Sequence, residues 1–262
     1  MTYSRHVLPG TTTDAPPTQW TVRRRAPVSP RAENRPTRRF SVQWIDRSGQ
    51  FDDMVKLAPA IPLFESAFCA LGRGTLIPTI DGPCAVEDLC PGMLVETSTG
   101  LAPLVWIGAM TIAPGSAAQD ESPLRMFRIA ADAFGLGRPM PDLLLGPGAR
   151  LLNRNPSVRT SHGTDAILEP VAPMADGMSV IEITPVSTIQ TYHLGFLSHR
   201  TFIANGVEVE SMHPGDINPN RIDPPMMAHY LSLFPHMRQI SDFGRLAFPR
   251  VGPQAQDGVF AA

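Results

Sequence analysis

The chain reads as mainly β: an all-β domain of short twisted strands, with a disordered N-terminal arm and a short helical tail at the C-terminal end. Three observations carry this reading. Between residues 74 and 113 short apolar runs are cut by turn signals at Asp81-Gly82, Pro91-Gly92 and Thr99-Gly100. The same rhythm returns over residues 179–211, where Asn205-Gly206 between two apolar runs specifies a type I′ hairpin turn. Proline, at 28 of 262 residues, is about twice its usual share and works against long helices.

Taken in order, residues 1–39 mix Thr, Pro and Arg without apolar periodicity and are expected to be disordered. Residues 40–65 form a lead-in. Phe40 to Ile45 alternates apolar with polar, as a half-buried strand does, and Phe51 to Val55 can return beside it across the turn at Arg47-Ser48-Gly49-Gln50. Leu63 to Leu71 is apolar and free of Pro and Gly, which suits a short helix or an extended lead-in. The β domain is placed at 66–212. Within it, Val86–Leu89 is expected to be a turn leading to a strand near Met93–Thr97. Further strands are expected at Leu104–Ile107, Met110–Ile112, Leu124–Ile129, Ser179–Ile183, Thr188–Phe196, Arg200–Ala204 and Val207–Glu210, while Asp142–Leu145 and Arg150–Leu152 flank Gly146-Pro147-Gly148. Residues 114–123 and 153–165 read as polar loops, and Ala130–Phe134 as a helical turn closed by Gly135 and Gly137. From 213 to 262 the character changes. Met226, Met227, Tyr230, Leu231 and Phe234 recur at helical spacing until Pro235 interrupts, and residues 236–246 can add a second short helix.

Composition excludes several classes. No run approaches the roughly 18 apolar residues of a membrane-spanning helix. No apolar core of a Sec-type signal follows the N-terminus, and Arg23-Arg24-Arg25 leads into Ala26-Pro27-Val28 rather than an apolar stretch, so a cytoplasmic location is favoured. Three cysteines without a CxxC pair give neither a zinc ribbon nor a disulfide scaffold. His193 and His199 lack a third ligand at metal-binding spacing. Asp216 to Asn220 opens like a calcium loop, but Arg221 stands where Gly is required and Met227 where a bidentate Glu belongs. No cofactor or metal is therefore expected. Net charge is −2 overall, yet residues 1–39 hold eight Arg against Asp14 and Glu33, which leaves the remainder at −8. The arm is a solvated tail or a tether to nucleic acid or anionic membrane.

Two distant stretches carry a resemblance. The first holds Gly74-Thr75, Asp81-Gly82, Val86-Glu87-Asp88-Leu89 and Pro91-Gly92. The second holds Tyr192-His193-Leu194, His199, Ala204-Asn205-Gly206-Val207 and Glu210-Ser211. Val105-Trp106-Ile107-Gly108 and Asp142 to Pro147 lie between them. Together they resemble the Hint domain of hedgehog autoprocessing domains and inteins, in its bacterial variant, over roughly residues 69–212.

That resemblance implies a self-cleavage chemistry. A Cys four residues before the Gly-Thr pair attacks the preceding carbonyl, and a His in a second motif protonates the departing nitrogen. Here Ala70 stands at the Cys position and Cys69 lies one residue early, on the opposite face of a regular strand. Gly146-Pro147-Gly148-Ala149-Arg150 places Ala149 where the second motif has its His. His199 matches the later His, and Glu210-Ser211 replaces the terminal His-Asn pair. Two outcomes follow: a divergent domain without efficient autoprocessing that serves in structure or in binding a protein partner, or thiol-dependent cleavage at Phe68–Cys69 by Cys69 and His199. Each group also has a plainer role. Cys69 reads as a buried inert thiol, Cys84 as core-facing, His193 as a half-exposed strand residue, and Asn205 as a turn residue rather than a cyclising one.

Overall fold

The alternation after Phe40 becomes the second half of strand β1 (Thr37–Ile45), which turns at Asp46 and returns as β2 (Phe51–Pro59). The Asp46 carboxylate closes this turn by accepting from the backbone N–H groups of Ser48 and Gln50. The computed structural model describes residues 36–46, 48–114, 124–217 and 222–252. Most of the Arg-rich arm thus lies outside the described residues, though β1 begins at Thr37, inside the stretch read as disordered.

A short helix α1 (Pro62–Glu65) leads to β3 (Leu71–Gly72), so the apolar lead-in contains both a helix and an extended piece. There follow β4 (Leu76–Thr79), β5 (Gly82–Ala85), a 3-10 turn at Val86–Asp88, β6 (Leu94–Thr97), β7 (Gly100–Pro103) and β8 (Trp106–Ile112). Next come β9 (Met126–Ile129), β10 (Leu143–Leu145), β11 (Arg150–Asn153), α2 (Pro156–His162), β12 (Ile167–Pro170), β13 (Val180–Ile183), β14 (Ile189–Gly195), β15 (Thr201–Ala204), β16 (Val207–Glu210) and α3 (Pro224–Leu231). No helix among these residues is long and apolar enough to cross a membrane. Two expectations are corrected. The polar loop at 153–165 contains α2, with the Asn155 side chain capping Ser157 N–H, Pro156 in the first turn and Gly163 left-handed at the end. Ala130–Phe134 forms turns, with Asp132 at φ 60°, not a helix.

The strands make two antiparallel sheets. One runs β13-β9-β10-β3-β14-β8-β1-β2, and the other β12-β11-β16-β15-β6-β4-β5 with β7 beside β6. The first and last motifs therefore meet: β3 lies between β10 and β14, with Leu71 opposite both Leu145 and Tyr192. At the β15–β16 hairpin, Asn205 (φ 46°) and Gly206 (φ 85°) adopt the two left-handed conformations of the expected turn.

Two apolar cores result. The first fills the space between the sheets with Leu71, Ile77, Val95, Leu145, Leu194, Phe202 and Val209. The second joins the lead-in, β8 and the tail: Phe40, Phe64 and Phe68 pack with Trp106, and with Tyr230, Phe234 and Phe243 from beyond residue 222. Phe68 lies 4.7 Å from Phe40 and 5.3 Å from Trp106 between ring centroids, and Trp106 lies 4.9 Å from Phe234. The Trp106 indole N–H donates to the Leu233 carbonyl at 3.0 Å. The helical tail thus caps a core that would otherwise be open on one side.

Candidate functional site

Residues 66–72 are held from both sides, which fixes the geometry of the Phe68–Cys69 bond. Ala70 N–H donates to the Tyr192 carbonyl at 3.1 Å, while Gly146 N–H donates to the Ala70 carbonyl and Gly148 N–H to the Cys69 carbonyl, each at 2.9 Å. The two glycines permit this approach. A methyl group on Gly146 would stand 2.4 Å from the Cys69 carbonyl oxygen and Sγ, and one on Gly148 would stand 2.3 Å from the Ser66 carbonyl oxygen.

The one-residue offset of the cysteine has a clear structural result. Ala70 and Ala149, at the positions of the Cys and His implied by the resemblance, are both buried in the first core. Cys69 is buried in the second, among the aromatic rings. Burial pushes its thiol up to about 12, against the smaller opposing effect of a hydrogen bond from Thr191. The Thr191 hydroxyl lies 3.1 Å from the Phe68 carbonyl oxygen and 3.3 Å from that of Met110.

His199 is also buried, and both of its ring nitrogens have partners. Nδ1 accepts from Ala247 N–H at 2.8 Å, which leaves Nε2 to donate to Glu210 at 2.8 Å. Glu210 is the hub here. Arg250 Nε donates to the same carboxylate at 2.8 Å, and Arg150 Nε stands 3.9 Å away. Burial works to raise the Glu210 carboxyl, but the His199 hydrogen bond and the Arg250 charge hold it below its usual range. His213 packs edge-on against His199 at 5.1 Å and is depressed to about 4, by burial first and by His199 second.

His193 departs from its expected half-exposed state: it is 5% exposed, on a strand flanked by β3 and β8. Burial depresses it to about 4, against the pull of Glu210 and of the Ala67 and Glu210 backbone carbonyls. It lines a cavity of about 290 Å³ together with Ala67, Gly148, Glu210, Tyr230 and Arg250. Cys84 is half-buried against the first core and Cys90 is exposed, so neither belongs to this cluster. Asn205 does more than turn the chain, since its side chain accepts from Leu76 N–H and donates to the carbonyls of Pro141 and Asp142. Among the described residues no cluster of His, Cys, Asp and Glu could hold a metal ion. The stretch from Asp216 to Asn220, already rejected as a calcium loop, falls partly outside the described residues.

Sequence reasoning did not find Thr191, Arg250, Tyr230 or His213. Thr191 sits inside an apolar strand with no motif around it. Arg250 and Tyr230 arrive from a tail whose docking has no local signal. His213, three residues after Glu210, could have been found by proximity to the last motif.

No curated protein compared with the chain matches it. A family model described as the Hint domain matches residues 69–216, opening at Cys69 and closing just past Glu210 and His213. That match covers more than half of the chain and agrees with the sheet arrangement that brings its two ends together, so the chain belongs to the Hint domain family.

Proposed function

We propose that this Hint domain has lost efficient autoprocessing and serves as a structural or binding domain. One observation carries the reading: the remaining thiol and the two family positions face different cores. Cys69 points into the aromatic core, while Ala70 and Ala149 close the other with small apolar side chains. An amide nitrogen leaves poorly without a proton, and a positioned general acid contributes about 10²–10⁴ in rate. His199 is tied to Glu210 and Ala247, so neither ring nitrogen is directed at the Phe68–Cys69 amide.

A second reading, thiol-dependent cleavage at Phe68–Cys69, has one observation in its favour. The Thr191 hydroxyl donates toward the Phe68 carbonyl oxygen, where negative charge would develop. Intact-protein mass spectrometry decides between them, with and without dithiothreitol, on wild type, Cys69→Ala and His199→Ala. The expected result is one unchanged mass throughout. A fragment starting at Cys69 in wild type, abolished by either substitution, overturns the proposal. The measurement must be denaturing, because β1 and β2 lie in the same sheet as β8 and would hold a cut chain together.

A further inference from the structure

A short piece of the tail, residues 244–247, lies over His199 between two aromatic anchors. Phe243 before it is buried and packs edge-on against His213 at 6.0 Å between ring centroids. Phe248 after it packs against Leu152, Ala166 and Leu168, and Leu168 N–H donates to the Pro249 carbonyl at 2.8 Å. Between the anchors Gly244, Arg245 and Ala247 are exposed. Two hydrogen bonds tie this piece to the β domain, and both end on imidazole rings. His213 Nε2 donates to the Gly244 carbonyl at 3.2 Å, and Ala247 N–H donates to His199 Nδ1 at 2.8 Å.

The His213 ring is held neutral by its partners. A backbone N–H only donates, so the ring nitrogen that it meets must carry the lone pair. Gly215 N–H donates to Nδ1 at 3.0 Å, which leaves the ring proton on Nε2 for Gly244. A second proton can go only to Nδ1, where it would face the Gly215 N–H. The ring must then turn, and its bond to the tail is lost. His199 lies 5.1 Å away, Arg250 reaches the His213 carbonyl from the tail, and Glu210 on β16 attracts the charge that Arg250 repels. His193 on β14, Arg150 on β11 and Tyr230 on α3 line the same cavity as His213. Burial first and His199 second depress His213 to about 4. Burial acts to raise Glu210, yet the His199 hydrogen bond and Arg250 hold it below its usual range, so the carboxylate keeps its charge through the same window. At His199 a positive charge would meet Glu210 on the other ring nitrogen. No carboxylate among the described residues bonds to the His213 ring.

We infer that residues 244–247 form an acid-sensitive strap over His199, with His213 as the group that senses the proton. Opening of the strap takes Ala247 off the His199 ring and bares Nδ1 of the residue that matches the later family His. The sign follows from linkage. Docking is full above about 6.5, the value of a free imidazole, and weakens as pH falls toward about 4. Between pH 7 and pH 5 the opening constant should therefore rise about twentyfold. The anchors at Phe243 and Phe248 do not titrate, which keeps the opening local. The strap is independent of either reading of Cys69.

Amide hydrogen exchange of the full chain, followed by NMR from pH 7 to pH 5 and corrected for intrinsic rates, tests this. The Ala247 amide should open more readily than the Ala70 amide, which donates to Tyr192 inside the first sheet, and its opening constant should rise about twentyfold across the range. His213→Gln keeps a donor and an acceptor but cannot titrate, so the rise at Ala247 should shrink to within about threefold. Ala247 and Ala70 opening together at every pH, a wild-type rise below about threefold, or an undiminished rise in His213→Gln overturns the inference. Should the variant fail to fold, the His213 ring protons of wild type decide: a midpoint near 4 supports the strap, and one near 6.5 overturns it.

Discussion

Alkylation of Cys69 is the most direct reading of its environment. The thiol is fully buried and pushed up to about 12 by that burial. At pH 8 a group of that acidity is thiolate in about one part in ten thousand, against roughly a quarter for an ordinary thiol near 8.5. The reactive form is therefore depleted by about three orders of magnitude before access is considered. Access slows it further, since no atom of Cys69 reaches solvent without opening of the aromatic core. The assay is iodoacetamide labelling of native protein at pH 8, followed by peptide mass spectrometry, with glutathione as an external reference. Exposed Cys90 should label first and half-buried Cys84 next, its own thiol raised by burial and by Asp88. Cys69 should stay unlabelled for at least about a thousand times the Cys90 half-time, and all three should label in denaturant. Native-state labelling of Cys69 within tenfold of glutathione would refute the argument, and with it the view of Cys69 as an inert core residue.

Three further outcomes are expected. Glu210→Ala leaves Arg250 and His199 without their shared carboxylate and should cost about 3–5 kcal/mol in urea denaturation; a change under 1 kcal/mol would show that the hub does not hold the tail. Phe234→Ala empties a fully buried site beside Trp106, Tyr230 and Phe243 and should cost about 3–5 kcal/mol, with an unchanged urea midpoint counting against tail docking. Stability should also fall with acid. His193, His213 and His236 are each depressed from 6.5 to about 4 in the folded chain, so the unfolded chain takes up protons first. Their contribution is full above about 6.5 and is lost as pH falls through about 4. A urea midpoint that stays level from pH 7 to pH 4.5 would contradict this.

Much of the β domain was legible because its signals are local. The Phe40–Ile45 alternation, the Asn205-Gly206 turn and the spacing of turn pairs each act over a few residues, and the strands formed where they indicate. The exceptions follow a pattern. Helix α2 was hidden in a polar stretch, although Asn155-Pro156 and Gly163 spell its two ends. His193 was misjudged because Tyr192 and Leu194 flank it, and alternation usually marks one wet face. Strand β14 lies inside its sheet with both faces covered, so Tyr192, His193 and Leu194 are all buried. The offset of Cys69 was visible in the sequence. Which core each face met was not, because the second core exists only once residues from 40, 106 and 234 assemble. The same long-range closure brings Arg250 to Glu210, forty residues apart in the chain.

The position of Trp106 gives the chain a built-in optical gauge. The residue belongs to the family-matched domain, yet its indole N–H bonds to Leu233, its ring lies on Phe234, and Phe68, from before the match, packs edge-on against it. Trp44 faces it across the β1–β8 pairing. Emission from Trp106, one of three tryptophans in the chain, therefore responds to the two appended segments as well as to the domain that contains it. Undocking of the tail would wet Trp106 and shift its emission to longer wavelength while far-ultraviolet dichroism from the sheets persisted. Comparing the two signals along one unfolding curve separates loss of the aromatic core from loss of the Hint scaffold.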